Sequence, residues 1–437
     1  MCLSEAKGMD INMKQTFALR GNLVYTKKIG TMEILEQQYL VCADGMVQGI
    51  YPELPEEFCS IPVEDMGDRV IIPGLTDLHV HAPQYSFRGL GMDLELLDWL
   101  NTNTFPEESK YRDLEYAKKA YDIFVKNLTH GATTRACVFA TIHNEATLLL
   151  MDRLEEAGIA AMVGKVNMDR NSPDYLREAS AEASAKATRE WLRAVAERHY
   201  EHVQPILTPR FTPSCSDGLM ELLHDIQKET GLPVQSHLSE NPGEIAWVQE
   251  LCPWSEFYGD AYDRFGMFGG ECRTIMAHCV YSGEEEIRRM KENGVFIAHC
   301  PESNTNLSSG IAPVRRYLDE QIPVGLGSDV AGGTTENLFA AMRHAIQASK
   351  LRWRLSDQGL KALTVEEVFY LASKGGGAFF GKVGSFEPGY EFDAVILDDT
   401  RLEHPQSLEV KQRLERVIYL GDEREVAGKY VAGRKIL

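Results

Sequence analysis

The chain has 437 residues, 44% apolar and 25% charged, with 36 Gly and 18 Pro, a globular composition that excludes collagen, coiled coil and disorder as its main architecture. At ~150 residues per domain, this length allows about three domains, or one large barrel with a small companion. Its 65 acidic and 45 basic residues leave a net charge of −20, which argues against nucleic-acid phosphate or an anionic membrane surface and fits a neutral or cationic small molecule.

The first residues, MCLSEAKGMDINMKQ, hold no apolar stretch and no small-residue cleavage site, so no signal peptide is expected. No run of about 18 apolar residues exists to cross a membrane. Residues 15–68 read as short strands and turns. From Val70 onward, short apolar runs alternate with polar helical segments. The runs are Val70–His81, Thr133–Ala140, Ile159–Asn167, Val203–Phe211, Leu232–Glu240, Arg273–Cys279, Gly294–Cys300 and Ile322–Val330. The helices predicted between them are Asp113–Asn127, Glu145–Glu156, Ala179–Glu197, Gly218–Thr230, Glu284–Glu292, Val314–Glu320 and Asn337–Ser349. Gly131, Gly158, Gly231 and Gly294 stand where helices should stop.

Near-continuous apolar strands alternating with helices indicate a parallel sheet buried on both faces. Eight such runs predict an α/β fold, a (β/α)8 TIM-like barrel, with a doubly wound open sheet as the alternative. Residues 384–437 read again as short strands. They are expected to join the N-terminal strands in one small composite β-sandwich, giving flanks 1–70 and 384–437 around a barrel of residues 71–383. The nine cysteines are scattered, odd in number and form no CxxC, which reads as reduced thiols of a cytoplasmic protein.

Residues at i and i+2 of a strand share a face, so His79 and His81 both point one way at the end of the first predicted strand. Alone, HxH is a weak metal signal. His237 ends the fifth strand, His278 the sixth and Asp329 the eighth. The C-terminal strand ends of a barrel carry its active site, and three or four imidazoles with a carboxylate suit Zn²⁺ or Fe²⁺. His299 ends the seventh strand and is expected behind the ligands. Glu240, three residues past His237, places a carboxylate beside the metal as a proton carrier. The fourth strand, QPILTPRF, has no lysine, while Lys165 lies on the third.

PGLTDLHVHAPQ, the HLSE of strand five, the AHC of strand six and GLGSDV of strand eight resemble the amidohydrolase superfamily over nearly the whole chain. HAPQYSFRG, DWLNTNTFPEE, FATIH, VGKVNMD, TPRF, QSHLSEN, AHCPESNTNLSSG and GSDVAGG are similar to its guanine deaminase branch, with small departures in Pro301–Gly310. The resemblance implies one zinc per subunit, or ferrous iron, held by His79, His81, His237 and Asp329, with His278 either a ligand or a catalytic partner. It implies that Glu240 shuttles protons between water and the purine, that Asp329 accepts a proton from the water, and that guanine becomes xanthine and ammonia. It also implies a homodimer, the commonest symmetric assembly.

On the substrate side, Arg210 offers a rigid fork of donors to a ring carbonyl. Phe211 either stacks on the base or packs in the core. Gln84 offers donor and acceptor to the purine edge, and His81 and His237 border the same space. Trp99 is expected to pack a loop. The rival readings are a deaminase or dechlorinase of cytosine or a triazine, and a metal-free scaffold. The latter would have lost one of His79, His81, His237, Glu240 or Asp329.

Overall fold

The computed structural model describes residues 16–437; Cys2 and the stretch read for a signal peptide lie outside them. The chain opens with β1 (Phe17–Tyr25), β2 (Glu33–Ala43), β3 (Met46–Tyr51) and β4 (Val63–Pro73). The barrel strands follow as β5 (Leu75–His81), β6 (Thr133–Phe139), β7 (Ala160–Gly164), β8 (Val166–Asn167), β9 (Val203–Pro205), β10 (Thr208–Pro209), β11 (Val234–Leu238), β12 (Thr274–His278), β13 (Phe296–His299) and β14 (Val324–Leu326). The chain closes with β15 (Ala394–Leu397), β16 (Val426–Val431) and β17 (Arg434–Lys435).

Each predicted barrel run contains a parallel strand. Parallel pairing joins β5, β6, β7 and β9 in one arc and β11 to β14 in another. The arcs meet where Leu207 pairs with Val234, and on the other side where the Asp329 and His81 amides donate to His79 and Val330 carbonyls at 2.8 and 3.1 Å. The result is a closed (β/α)8 barrel. Its interior is a packed core, not a pore: Leu78, Cys137, Met162, Ile206, Ile275, Ala277, Ala298 and Cys300 fill it from strand after strand.

The run predicted as Val70–His81 is two strands, one in each sheet system. The break is Gly74, whose amide bonds the Asp393 carbonyl at 3.1 Å. A Cβ there would lie 2.1 Å from Thr134 Oγ1, so only glycine passes.

Both chain ends do build one small β-structure. Its strands run β17-β16-β15-β4-β1-β2-β3 in a single sheet of seven. The sheet rolls on itself: Val47 of β3 donates to Tyr390 and accepts from Gly389, just before β15. Phe17, Leu19, Leu40, Phe392, Ile396 and Tyr430 form the core so enclosed.

Residues 384–437 are not all strand as expected. RVIYL belongs to the helix Val410–Leu420. Its buried positions Val410, Leu414, Val417 and Ile418 follow the 3.6-residue period, and the stretch's β-branched residues had masked it. The helix Pro242–Leu251 after β11 also escaped the sequence reading.

Helix ends follow expectation at Gly158, Gly231 and Gly294, all left-handed with φ of 73°, 67° and 67°. Gly131 is extended instead. There the buried Lys429 Nζ donates to the carbonyls of Leu128, Gly131 and Thr133 at 2.8, 2.9 and 3.0 Å. A side chain from β16 thus satisfies carbonyls that a glycine turn would otherwise have to serve. Among the described residues, no helix is long and apolar enough to cross a membrane.

Candidate active site

The alternation of β5 aims His79 and His81 into the C-terminal mouth of the barrel, where β11 and β12 bring His237 and His278. Asp329 follows β14. All are buried. His278 and Asp329 have φ of 73° and 48°, a left-handed backbone that non-glycine residues adopt at a cost of ~1–3 kcal/mol. The surrounding contacts hold this strain in place. Asp77 accepts the His79 and Ser328 amides at 3.1 and 3.0 Å, tying β5 to the β14 loop beneath the site.

The ring nitrogens converge. His81 Nε2 is 3.2 Å from both His79 Nε2 and His237 Nε2. Asp329 Oδ1 is 3.1 Å from His79 Nε2 and 3.4 Å from His81 Nε2. His237 Nδ1 donates to the Arg210 carbonyl at 2.6 Å, and His278 Nδ1 to Asn304 Oδ1 at 2.9 Å. Each bond leaves the Nε2 lone pair facing inward. Burial, and next the neighbouring His79, hold His81 and His237 well below the usual histidine range, hence neutral. Burial opposes ionisation of Asp329, yet His79, which also hydrogen-bonds it, and His278 outweigh it and keep the carboxyl well below the usual range.

Neutral imidazoles whose lone pairs crowd one point beside a carboxylate repel one another unless a cation sits among them. This donor set fits a divalent metal. His79, His81 and His237 form one possible ligand group, and His79, His278, Cys300 and Asp329 a second that shares His79. His299 is buried beneath and enters neither group. Lys165 does not approach them: its Nζ bonds the Val166 carbonyl and Glu178 at 3.1 and 2.5 Å.

Above this cluster lies a cavity bordered by His81, Gln84, Arg210, Phe211, His237, Glu240, His278 and Asp329. Every candidate residue from the sequence except His79 reaches it; His79 lies deeper. Glu240 Oε2 is 3.4 Å from His278 Nε2, and Glu240 Oε1 accepts from Ser309 Oγ at 3.1 Å. Burial, reinforced by Asp329, pushes the Glu240 carboxyl up to about 8. Trp99 does pack its loop, donating to the Leu90 carbonyl at 3.2 Å. It also walls the cavity together with Leu96, Leu100 and Leu307.

Sequence reading missed Glu108, Glu244, Asn304 and Ser309. Glu244 is the third residue of the helix Pro242–Leu251 and takes part in its capping box with Asn241. The N-x-x-E spacing signalled a helix start, but nothing marked the glutamate as a cavity wall. Glu108 accepts from Gln84 Nε2 and from Arg210 Nη1 at 2.9 and 2.6 Å, and no local pattern announces that.

Residues 70–436 match the amidohydrolase family. The chain is 38% identical over 441 residues to a guanine deaminase of Dictyostelium discoideum, covering 95% of this chain and 97% of that one. The crystal structure of guanine deaminase from C. acetobutylicum, with guanine bound in its active site, superposes with a TM-score of 0.94 at 47% identity, covering 97% of this chain and 100% of that one. E. coli guanine deaminase superposes with a TM-score of 0.85 at 32% identity, over 97% and 99%.

Proposed function

This chain belongs to the amidohydrolase family, on its guanine deaminase branch, and from that premise we propose how its residues deaminate guanine. The reaction is hydrolytic: water replaces the amine at C2 of guanine, giving xanthine and ammonia. His79, His81, His237 and Asp329 would hold the metal, with His278 as the fifth candidate ligand. We assign zinc, one per subunit, with ferrous iron the second candidate for this nitrogen and carboxylate set. Such a metal acidifies water enough to supply a nucleophile at neutral pH.

The remaining work falls to side chains. Asp329, held ionised, accepts a proton from the attacking water. Glu240 is buried, which favours its protonated form. It can donate to the ring nitrogen beside C2 and then take protons onward to the departing amine. His278, oriented by Asn304, keeps Glu240 and Asp329 apart and steadies charge between them. Arg210 donates to the guanine carbonyl, Gln84 meets the same edge and Phe211 lies against the base. Leu96, Trp99, Leu100 and Leu307 keep water out.

The observation that carries this reading is the buried Glu240, 3.4 Å from His278 in a histidine–aspartate cluster, on the floor of a cavity whose wall holds Arg210. Ammonia release from guanine, adenine, cytosine and an aminotriazine tests it. Guanine alone is expected to react. Turnover of the triazine or cytosine in preference to guanine would overturn it. A reduced cytoplasmic setting is supported by eight unpaired cysteines among the described residues.

A further inference from the structure

We propose that Glu108 is a positioning residue that sets the hydrogen-bond polarity of the base-reading edge and cancels the charge of Arg210. This rests on the deamination reading above.

Glu108 is 1% exposed and does not border the cavity, so it acts through its neighbours. It lies in the short helix Phe105–Glu108, on the long connection between β5 and β6. Its two oxygens are divided. Oε2 takes Arg210 Nη1 at 2.6 Å and Oε1 takes Gln84 Nε2 at 2.9 Å. Gln84 Oε1 in turn accepts the Ala331 amide at 3.2 Å. The order of donors and acceptors therefore runs in one sense, from the fixed Ala331 N–H through Gln84 to Glu108, with Arg210 donating in from the other end.

A carboxylate accepts at both oxygens and cannot donate. It therefore fixes which end of the Gln84 amide faces Ala331 and which faces Glu108. The amide cannot turn over without setting two donors against each other at Ala331 and two acceptors at Glu108. The free N–H of Gln84 and the other donors of Arg210 are thus presented as one donor array, suited to a base edge that ends in a carbonyl. Phe105 lies under the guanidinium, 5.3 Å from ring centroid to Arg210 Cζ, and keeps the fork in its plane.

Charge follows the same geometry. A buried guanidinium without a counterion would favour an anion. Paired with Glu108 in a dry wall, it offers directional donors with no net charge, which suits neutral guanine.

Glu108→Gln separates this role from simple packing, since it keeps the shape. The substituted amide supplies an acceptor at one end only. It opposes a donor to Arg210, or it opposes a donor to Gln84, or it makes Gln84 turn over and oppose a donor to Ala331. In each case the array facing guanine is disordered, and misplacement of this kind costs ~10² in rate. The probe is 2-aminopurine, which has the C2 amine but no carbonyl. Its inhibition constant against guanine reads binding whether or not it turns over.

For Glu108→Gln we expect guanine kcat/KM to fall by ~10² while the 2-aminopurine inhibition constant stays within about threefold and metal content is unchanged. Arg210→Ala should show the same split, and Glu108→Asp, which keeps the charge, a smaller guanine loss. Equal losses for both bases, or guanine kinetics within about threefold of wild type, would overturn the proposal. If Glu108→Gln does not fold, Glu108→Asp carries the same comparison. Wild-type enzyme inert toward guanine would instead overturn the deamination reading, and this proposal with it.

Discussion

Glu240 shows how much one side chain's surroundings decide. A glutamate just past a strand is ordinarily solvated, but here burial and Asp329 push its carboxyl up to about 8. Glu240→Gln keeps the shape and loses the transferable proton. Turnover should fall by ~10²–10⁴ with metal retained, as steady-state rates and metal analysis on the same sample would show.

A second consequence concerns stability. Burial raises Glu240 from 4.5 to about 8 in the metal-free protein. The folded state then holds a proton that the unfolded chain has released. Its stabilisation is complete below pH 4.5 and lost as the pH rises through about 8. Neutral His81 and His237 act in the opposite sense, only below 6.5. From pH 6.5 to 8 the thermal midpoint of metal-free wild type should therefore fall relative to that of Glu240→Gln; Glu244, raised to about 7 by burial and by Glu240, loses part of its own rise in that variant and so adds to the difference in the same sense. Parallel midpoints across that window would show that Glu240 does not hold its proton.

Among the elements, the junction between β16 and the helix Leu114–His130 deserves a mutation. Lys429 serves three backbone carbonyls there. Lys429→Met preserves much of the stem and removes every donor. Leaving buried acceptors without partners costs ~1–3 kcal/mol each, so the urea midpoint should drop measurably. Activity per folded molecule should stay normal, because the site lies at the other end of β6. An unshifted midpoint would mean that water replaces the ammonium without cost.

The barrel strands were legible because each is a short apolar run bounded by glycine or a polar helix start. The helix Val410–Leu420 was not: its valines and isoleucine favour strands locally, and only packing on the barrel shows which face they bury. The single β4–β5 run was likewise divided by contact with Thr134 and Asp393, groups far along the chain.

For the molecule as a whole we expect a homodimer in solution, the commonest closed assembly. Light scattering at micromolar concentration should return twice the chain mass, and a monomeric mass would exclude it.

Read as letters, this chain specified the repeated strand–helix order and the strand-end places of His79, His81, His237, His278 and Asp329. Those features are local. A period of two within a strand assigns a face, and the end of a run assigns a depth in the barrel. Folding was needed to assign what depends on distant partners. Glu108 meets Arg210 across 102 residues of sequence, Asn304 orients His278, and Ser309 reaches Glu240. A buried glutamate that aligns an arginine and a solvated one at a helix start are spelled alike, because burial and hydrogen-bond polarity arise only when the strand ends close into a ring.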